Sequence, residues 1–241
     1  MRSILHMITC AQELITNAFA PLQCESCNKS IVETTKVFRI CDECFYSFVN
    51  APKPERLLNE LYRHREGKQT SLSGICSLFE ITDESAISTI IYAIKYDGCQ
   101  RMAFDLGALL YDNVKNSNVS FDMIIPIPIH HARKRERGYN QATLIAQGIA
   151  SAINIRMNEN VMKRIVYTKT QTTLSAEERK QNVDSTVFKI CDPDTIKGKN
   201  ILLIDDVFTT GATMDSCAAQ ILESGARCVY AATIATAQLP Q

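Results

Sequence analysis

Apolar side chains recur at two periods along this chain, and the change from one to the other marks its organisation. Ile4, Ile8, Ala11, Ile15 and Phe19 fall at helical spacing, and Pro21 ends that run. Ile87, Ile90, Ile91 and Ile94, with Lys95 on the edge of the same stripe, predict a helix closed near Asp97 and Gly98. Met102, Leu106, Leu109 and Leu110 predict another, and residues 139–153 and 211–223 read as helices too, the last stopped by Gly225. Between them the pattern turns continuous. Residues 123–129 read as a strand, although Pro126 and Pro128 keep it from being an ordinary central one along its whole length. Ile201, Leu202, Leu203 and Ile204 form an unbroken apolar run, as expected of a parallel strand covered on both faces, and 228–233 is the next strand. Strand, helix and strand at this spacing give the βαβ rhythm of an α/β sheet.

Composition shifts suggest a division. Residues 1–54 hold the first helix and a cysteine-rich segment, and the Asn50-Ala-Pro-Lys-Pro54 stretch reads as a linker. Residues 55–83 mix charge with Gly67, Ser71, Ser73 and Gly74 and read as a connection containing short pieces of structure; the sheet domain is expected over 84–241. The first twenty residues could imitate a targeting peptide, but His6, Thr9, Gln12 and Glu13 break their apolar core.

Charge narrows the function classes. With 26 Lys+Arg against 26 Asp+Glu the net charge is zero, which argues against wholesale wrapping of DNA or RNA and leaves room for a local anion site. An apolar fraction of 46% supports a packed core, and no apolar run is long enough for a membrane span. Ten cysteines is a high count, yet several of the scattered ones (Cys10, Cys76, Cys99, Cys191, Cys217, Cys228) sit among apolar or small neighbours, as buried thiols do. Cys191, Cys217 and Cys228 are expected as core or near-core thiols. The expected location is cytoplasmic.

The remaining four cysteines form Cys24-x-x-Cys27 and Cys41-x-x-Cys44. Each pair places two thiolates on one metal through a tight turn, and four soft ligands without imidazole or carboxylate favour structural zinc. Unrelated redox pairs, buried thiols or an iron–sulfur cluster are the alternatives. The Lys and Glu/Asp residues around the pairs give no basic face.

Two further clusters carry chemistry. After the 201–204 strand come Asp205 and Asp206, then Thr209, Thr210, Gly211, Ala212 and Thr213. A hydroxyl- and glycine-bearing turn that opens a helix suits a phosphate, and Gly211 would let the backbone approach it. The two carboxylates would be repelled by that phosphate and so suit sugar hydroxyls or a divalent cation. A helix cap with an acidic strand end is the plainer reading. No Gly-Lys-Ser/Thr follows, so this is not a Walker loop. Directly after the proline-bearing strand, Arg133, Lys134, Arg135 and Arg137 stand against the single Glu136. That is either a solvated or nucleic-acid-facing loop or one wall of the same crevice.

The 205–213 element resembles the phosphoribosyl-diphosphate (PRPP) motif of type I phosphoribosyltransferases. The fuller pattern resembles the ComF family, which includes competence-associated and GntX-like proteins. It comprises the cysteine pairs, the 125–129 strand, Arg137-Gly-Tyr-Asn-Gln141 and the 205–213 loop. Arg164, Thr170, Gln171, Leu174, Arg179 and Asn182 resemble the family's middle segment, and 71–97, ending in Lys95-Tyr96, its lead-in. The resemblance implies an α/β, type I phosphoribosyltransferase-like fold with a mostly parallel central sheet and a small N-terminal zinc module held by the four paired cysteines. It implies that Asp205 and Asp206 hold the ribose hydroxyls, that 209–213 cradle the 5′-phosphate, and that Arg133, Lys134, Arg135 and Arg137 meet diphosphate and its Mg²⁺. Lys169, Thr170, Gln171 and Arg179 would lie on a flexible loop over the site. The activity implied is transfer of a 5-phosphoribosyl group from PRPP to an unidentified acceptor with release of diphosphate. The rival is a non-catalytic accessory or interaction protein of DNA uptake that keeps the fold and the phosphate site, with single-stranded DNA or the competence machinery as partner. No residue stands out as a general base.

Overall fold

The protein is described from a computed structural model, over residues 22–31, 35–64, 69–82, 86–166 and 187–237. The helix expected over residues 3–19, Cys10, and the loop residues Lys169, Thr170, Gln171, Leu174, Arg179 and Asn182 lie outside them. In chain order the elements are α1 (Asp42–Ser47), α2 (Pro54–His64), β1 (Gly74–Ile81), α3 (Ile87–Tyr96), α4 (Gln100–Lys115), β2 (Met123–Pro126), α5 (His131–Arg137), α6 (Gln141–Ile153), β3 (Met162–Arg164), β4 (Phe188–Ile190), β5 (Asn200–Phe208), α7 (Ala212–Glu223) and β6 (Cys228–Ala237).

Four strands make one parallel sheet in the order β1-β6-β5-β2, and β3 pairs antiparallel with β4 in a small ribbon. β5, between β6 and β2, buries Ile201, Leu202, Leu203, Ile204, Asp206 and Phe208, which is why its apolar run is continuous. Its even-numbered residues Leu202 and Ile204 face one layer with α3, α4 and α6, while Ile201, Leu203 and Phe208 belong to a second with α2 and α7. The core is therefore two apolar layers sandwiching one sheet. α4 and α6 meet backbone to backbone: a side chain at Gly107 would strike the Ile145 carbonyl, and one at Gly148 the Phe104 carbonyl.

Several elements differ from the sequence reading. The stretch expected to hold only short pieces of structure contributes the eleven-residue α2 and the whole of β1. Ser77 stands among the inward positions of β1 between Ile75 and Phe79, so the alternation is not purely apolar and the strand does not advertise itself. Ser77 is paired: its hydroxyl receives the Thr233 hydroxyl at 3.0 Å. β5 and β6 also run further than expected. Asp205 faces Thr233 and Phe208 faces Thr236 in the ladder, so the two carboxylates sit within the strand and the turn begins only at Thr209.

The chain leaves β2 toward α6 in one layer and leaves β5 toward α7 in the other. Adjacent parallel strands whose connections part in this way open a crevice at their carboxyl ends, the place where open α/β sheets bind ligands. Asp205, Asp206 and the 209–213 turn stand at that crevice from the β5 side, and α5 stands there from the β2 side.

Candidate functional site

The cysteine knuckles are built first by backbone geometry. Asn28 N–H bonds the Cys24 carbonyl at 2.8 Å and Phe45 N–H the Cys41 carbonyl at 2.9 Å, closing one turn around each pair. Asn28 and Arg39 take the left-handed conformation that such turns need, each with φ of 59°. The four thiol sulfurs of Cys24, Cys27, Cys41 and Cys44 lie within 4.8 Å of one another, with Cys27 and Cys41 3.7 Å apart. Tetrahedral Zn–S bonds of about 2.3 Å put sulfurs about 3.8 Å apart, so the cluster could hold a metal such as zinc. Burial pushes the Cys24 thiol up, but the backbone N–H groups of Cys41, Cys27 and Ser26 outweigh it and bring it down to about 7, favouring thiolate.

This module is docked on the sheet rather than tethered to it. Phe38 N–H bonds Asp105 Oδ2 at 3.0 Å, and Arg39 pairs with Glu25 at 2.6 Å while its guanidinium lies 3.8 Å from the Cys99 sulfur. Phe45, Phe48 and Phe79 pack edge to face, with Phe48 and Phe79 centroids 5.0 Å apart.

At the crevice, Asp206 is buried and its N–H bonds Asp205 Oδ1 at 2.9 Å. Its own Oδ2 pairs with the Lys95 ammonium at 3.0 Å. Burial, and after it the Asp206 charge, push the Asp205 carboxyl up to about 8. Two carboxylates therefore share one ammonium. Thr209, Thr210, Ala212 and Thr213 are exposed around the turn, and Ala212 N–H bonds the Thr210 hydroxyl at 3.4 Å.

Gly211 has a different reason from the expected one. It takes φ of 74°, and a Cβ there would lie 2.6 Å from both Leu61 and the Phe208 ring. Its open side faces the core under α2, so packing and backbone conformation require glycine whether or not a ligand approaches. The first turn of α7 is held from the same side: buried Asp215 accepts from the Thr70 hydroxyl at 2.5 Å and from Ser71 N–H at 2.7 Å.

The basic stretch is a short helix rather than a loop. His130 caps it, its Nδ1 accepting from Ala132 N–H at 3.2 Å, and Gly138 ends it in the left-handed conformation. The rings of His130 and His131 lie against each other, with centroids 4.0 Å apart and planes tilted by 43°. Burial, then His131 and nearby arginines, lower the His130 pKa. Buried Asn140 anchors the start of α6, donating to the Ile127 carbonyl at 3.0 Å and capping the helix through Ala142 N–H. Arg137 hydrogen-bonds Gln141 and stands 5.2 Å from the centre of the Tyr96 ring. Arg133 and Arg137 are half-buried; Lys134 and Arg135 are exposed. A cavity of about 460 Å³ opens beside this helix, lined among others by His131, Lys134, Lys163 and Arg164. None of Asp205 to Thr213 lines it.

The structure thus brings the carboxylate pair, the 209–213 turn and α5 to one edge of the sheet, with contact between the two halves made by Lys95, Tyr96 and Arg164, to which the sequence reading assigned no role. Lys95 joins Asp206 to α3, whose last residue packs under Arg137. Half-buried Arg164 feels both Arg133 and Asp205; burial first, then Arg133, lowers its pKa. A signal for Lys95 existed: it falls at i+8 of the Ile87, Ile91 stripe, a cation on an apolar face. Among the scattered thiols, Cys217 is buried as expected and Cys228 partly so, whereas Cys191 is exposed, because it follows β4 at the end of the outer ribbon.

Residues 137–238 match the family described as phosphoribosyl transferase domain. The chain is 32% identical over 134 residues to Competence protein F of Haemophilus influenzae, covering 54% of this chain and 58% of that protein. It is 30% identical over 148 residues to DNA utilization protein YhgH of Escherichia coli, covering 59% and 64%. The match thus spans less than two thirds of either relative. A glutamine PRPP amidotransferase from B. subtilis has a similar chain path over 55% of this chain and 26% of its own, at 20% identity and a TM-score of 0.38. No described helix is long and apolar enough to cross a membrane. The transferase domain, the mostly parallel α/β sheet, the four-cysteine cluster and these relatives together fit a ComF-type, phosphoribosyltransferase-like protein with an N-terminal cysteine module.

Proposed function

We propose that the crevice between β2 and β5 binds PRPP and transfers its 5-phosphoribosyl group to an acceptor. The observation that supports this most is the carboxylate pair followed by an exposed hydroxyl-bearing turn at the carboxyl edge of the sheet, faced by a basic helix. In this reading Asp205 and Asp206 accept from the ribose 2′- and 3′-hydroxyls. The N–H groups and hydroxyls of Thr209, Thr210, Gly211, Ala212 and Thr213 receive the 5′-phosphate. Arg133, Lys134, Arg135 and Arg137 neutralise the diphosphate, whose C1–O bond breaks with the electron pair leaving on oxygen while the acceptor's lone pair forms the new bond. Lys169, Thr170, Gln171 and Arg179 would cover the site. Of the expected division into 1–54, 55–83 and 84–241, the boundary at 83 does not separate two units, because β1 before it pairs with β6.

Mg²⁺ suits the donor set. Asp205 and Asp206 offer hard oxygens, and burial first, then the Asp206 charge, raises the Asp205 pKa in spite of the Lys95 ammonium beside the pair. The cation would supply charge neutralisation for the diphosphate. Zinc held by Cys24, Cys27, Cys41 and Cys44 would be structural, with no open position for substrate.

A second reading is favoured by the relatives' names: a role in DNA uptake, in which the site binds its ligand without turnover. Calorimetric titration of PRPP with Mg²⁺, followed by an assay for diphosphate release with nucleobases, ammonia or glutamine as acceptor, separates the two. Binding with release supports transfer, binding without it supports the accessory role, and no binding removes both.

A further inference from the structure

A second hollow lies at the opposite corner of the sheet from the crevice. β1 is the outermost strand on the side away from β2. Its first residues, the start of α2 and the end of α4 enclose a cavity of about 400 Å³. Small-molecule sites span roughly 300–1,000 Å³, so the size is that of a ligand pocket. The hollow opens at the amino ends of β1 and β6, whereas the crevice lies at the carboxyl ends of β2 and β5. None of residues 205–213 and none of α5 lines it.

Its floor is apolar and preformed. Tyr230 of β6 lies close against Gly74, where a Cβ would come within 2.5 Å of the ring, so glycine there gives the ring its place. Phe121 meets Tyr230 edge to face, with centroids 5.5 Å apart and planes at 72°. Leu58, Ile75 and Val114 extend the apolar surface. The rim is polar and rich in acceptors. The carboxyl end of α4, the negative end of its dipole, borders the hollow at Asn113, Asn116 and Ser117. The Asn113 amide group donates to the Ser77 carbonyl at 2.8 Å, which leaves its side-chain oxygen as an acceptor. Glu55, in the first turn of α2, is the single charged residue among the described residues that line the hollow. Lys115 ends α4 without lining it, and Lys53 lines an adjoining hollow of about 340 Å³.

An anion would meet a carboxylate and the negative end of a helix there. A purely apolar ligand would cover the asparagine oxygens and give them no donor. The lining matches a cation with a flat or apolar body, its charged group toward Glu55 and the end of α4, its body against Tyr230 and Phe121. We propose that this hollow is a binding site for small organic cations, in which an amine, amidine or guanidine group is carried on a ring or a short apolar body. The site shares no residue with the crevice, so the inference stands apart from the phosphoribosyl reading.

The test uses three probes of one shape and different charge, benzamidine, benzamide and benzoate, each titrated into the full chain at neutral pH. Saturation-transfer NMR detects binding and calorimetry measures it. Benzamidine should bind most tightly, benzamide more weakly and benzoate not at all. Glu55→Gln removes the charge at an exposed position and should weaken benzamidine by roughly 2- to 5-fold, with benzamide unchanged. Asn116→Arg adds a cation at the exposed end of α4, where it suits the helix dipole, and should weaken benzamidine by roughly 5- to 10-fold. Both positions are on the surface, so neither change should alter the melting curve, and PRPP binding should be the same in parent and variants. Benzoate binding as well as benzamidine overturns the inference, as does a parent that binds no benzamidine at millimolar concentration. Benzamidine binding that neither variant weakens also overturns it. So does displacement of benzamidine by PRPP with Mg²⁺, which would put the probe in the crevice.

Discussion

The cysteine module and the crevice are assembled in opposite ways. The module's ligands come from two short turns within 21 residues of chain, each closed by its own backbone hydrogen bond. The crevice draws on α3, β2, α5, β3 and β5, and its parts meet only because the sheet brings them there. Local assembly concentrates the dependence of the module on its four sulfurs. Distributed assembly lets the crevice lose one contact and keep its shape.

The sharpest way to break this contrast is at the module. Cys24→Ser, or removal of metal by a chelator, should unfold residues 22–48 while the sheet stays folded. Metal analysis of the parent should give about one zinc equivalent. Loss of Phe45 and Phe48 from the Phe79 cluster should cost the sheet roughly 2–4 kcal/mol, read by urea titration of the remaining transition. Retention of a full metal equivalent in Cys24→Ser would show that the ligand set is different.

At the crevice the largest structural effect expected is from Asp215→Ala. It leaves Ser71 N–H and the Thr70 hydroxyl without their acceptor beneath the 209–213 turn, at a cost of about 2–4 kcal/mol, read as a fall in the urea midpoint. Gly211→Val is a poorer probe of phosphate binding than its sequence position suggests, because it would collide with Leu61 and Phe208 before any ligand is considered.

Arg137→Ala tests the division of labour in binding. It should weaken PRPP by roughly 10- to 150-fold, as expected for a charge-assisted contact of about 1.5–3 kcal/mol, and leave ribose 5-phosphate nearly untouched. Equal loss of both ligands would take α5 away from the diphosphate.

The last comparison is read in the pH dependence of Asp205. Its folded pKa is raised from 3.8 to about 8, so the folded chain holds that proton more tightly than the unfolded chain. Its contribution is therefore most favourable below about pH 4 and is lost as the pH rises through 8. Asp205→Asn should gain in melting temperature relative to the parent as the pH goes from 4 to 8, and Mg²⁺ should narrow the difference at the upper end. A difference that does not vary with pH would mean that the Asp205 carboxylate is neutralised by another group.

Legibility from the sequence divides along the same line. The paired cysteines declare themselves through spacing, since both ends of each turn lie in one short segment. The β5 strand, α7 and β6 are legible because burial on both faces writes a continuous apolar run and Gly225 ends the helix. Lys95 and Tyr96 are harder, because their importance depends on Asp206 and Arg137, 111 and 41 residues away in sequence. The basic stretch was legible as charge but not as a helix, because its cap is a histidine in place of the usual Ser, Asp or Asn. β1 is hidden in the sequence because Ser77 interrupts its inward face, and that serine makes sense only opposite Thr233.

The position of β1 decides where this chain can be cut. It pairs with β6 from Gly74 opposite Tyr230 to Ile81 opposite Ala237. A fragment beginning at residue 84 would strip that partner away and leave the β6 edge with open donors and acceptors beside apolar residues such as Ile234 and Ala235. Such an edge recruits another strand, so the fragment would be expected to self-associate or precipitate. Starting at Pro54 keeps α2 over Gly211 and keeps β1 in place, and that is the shortest piece in which the crevice would be worth assaying.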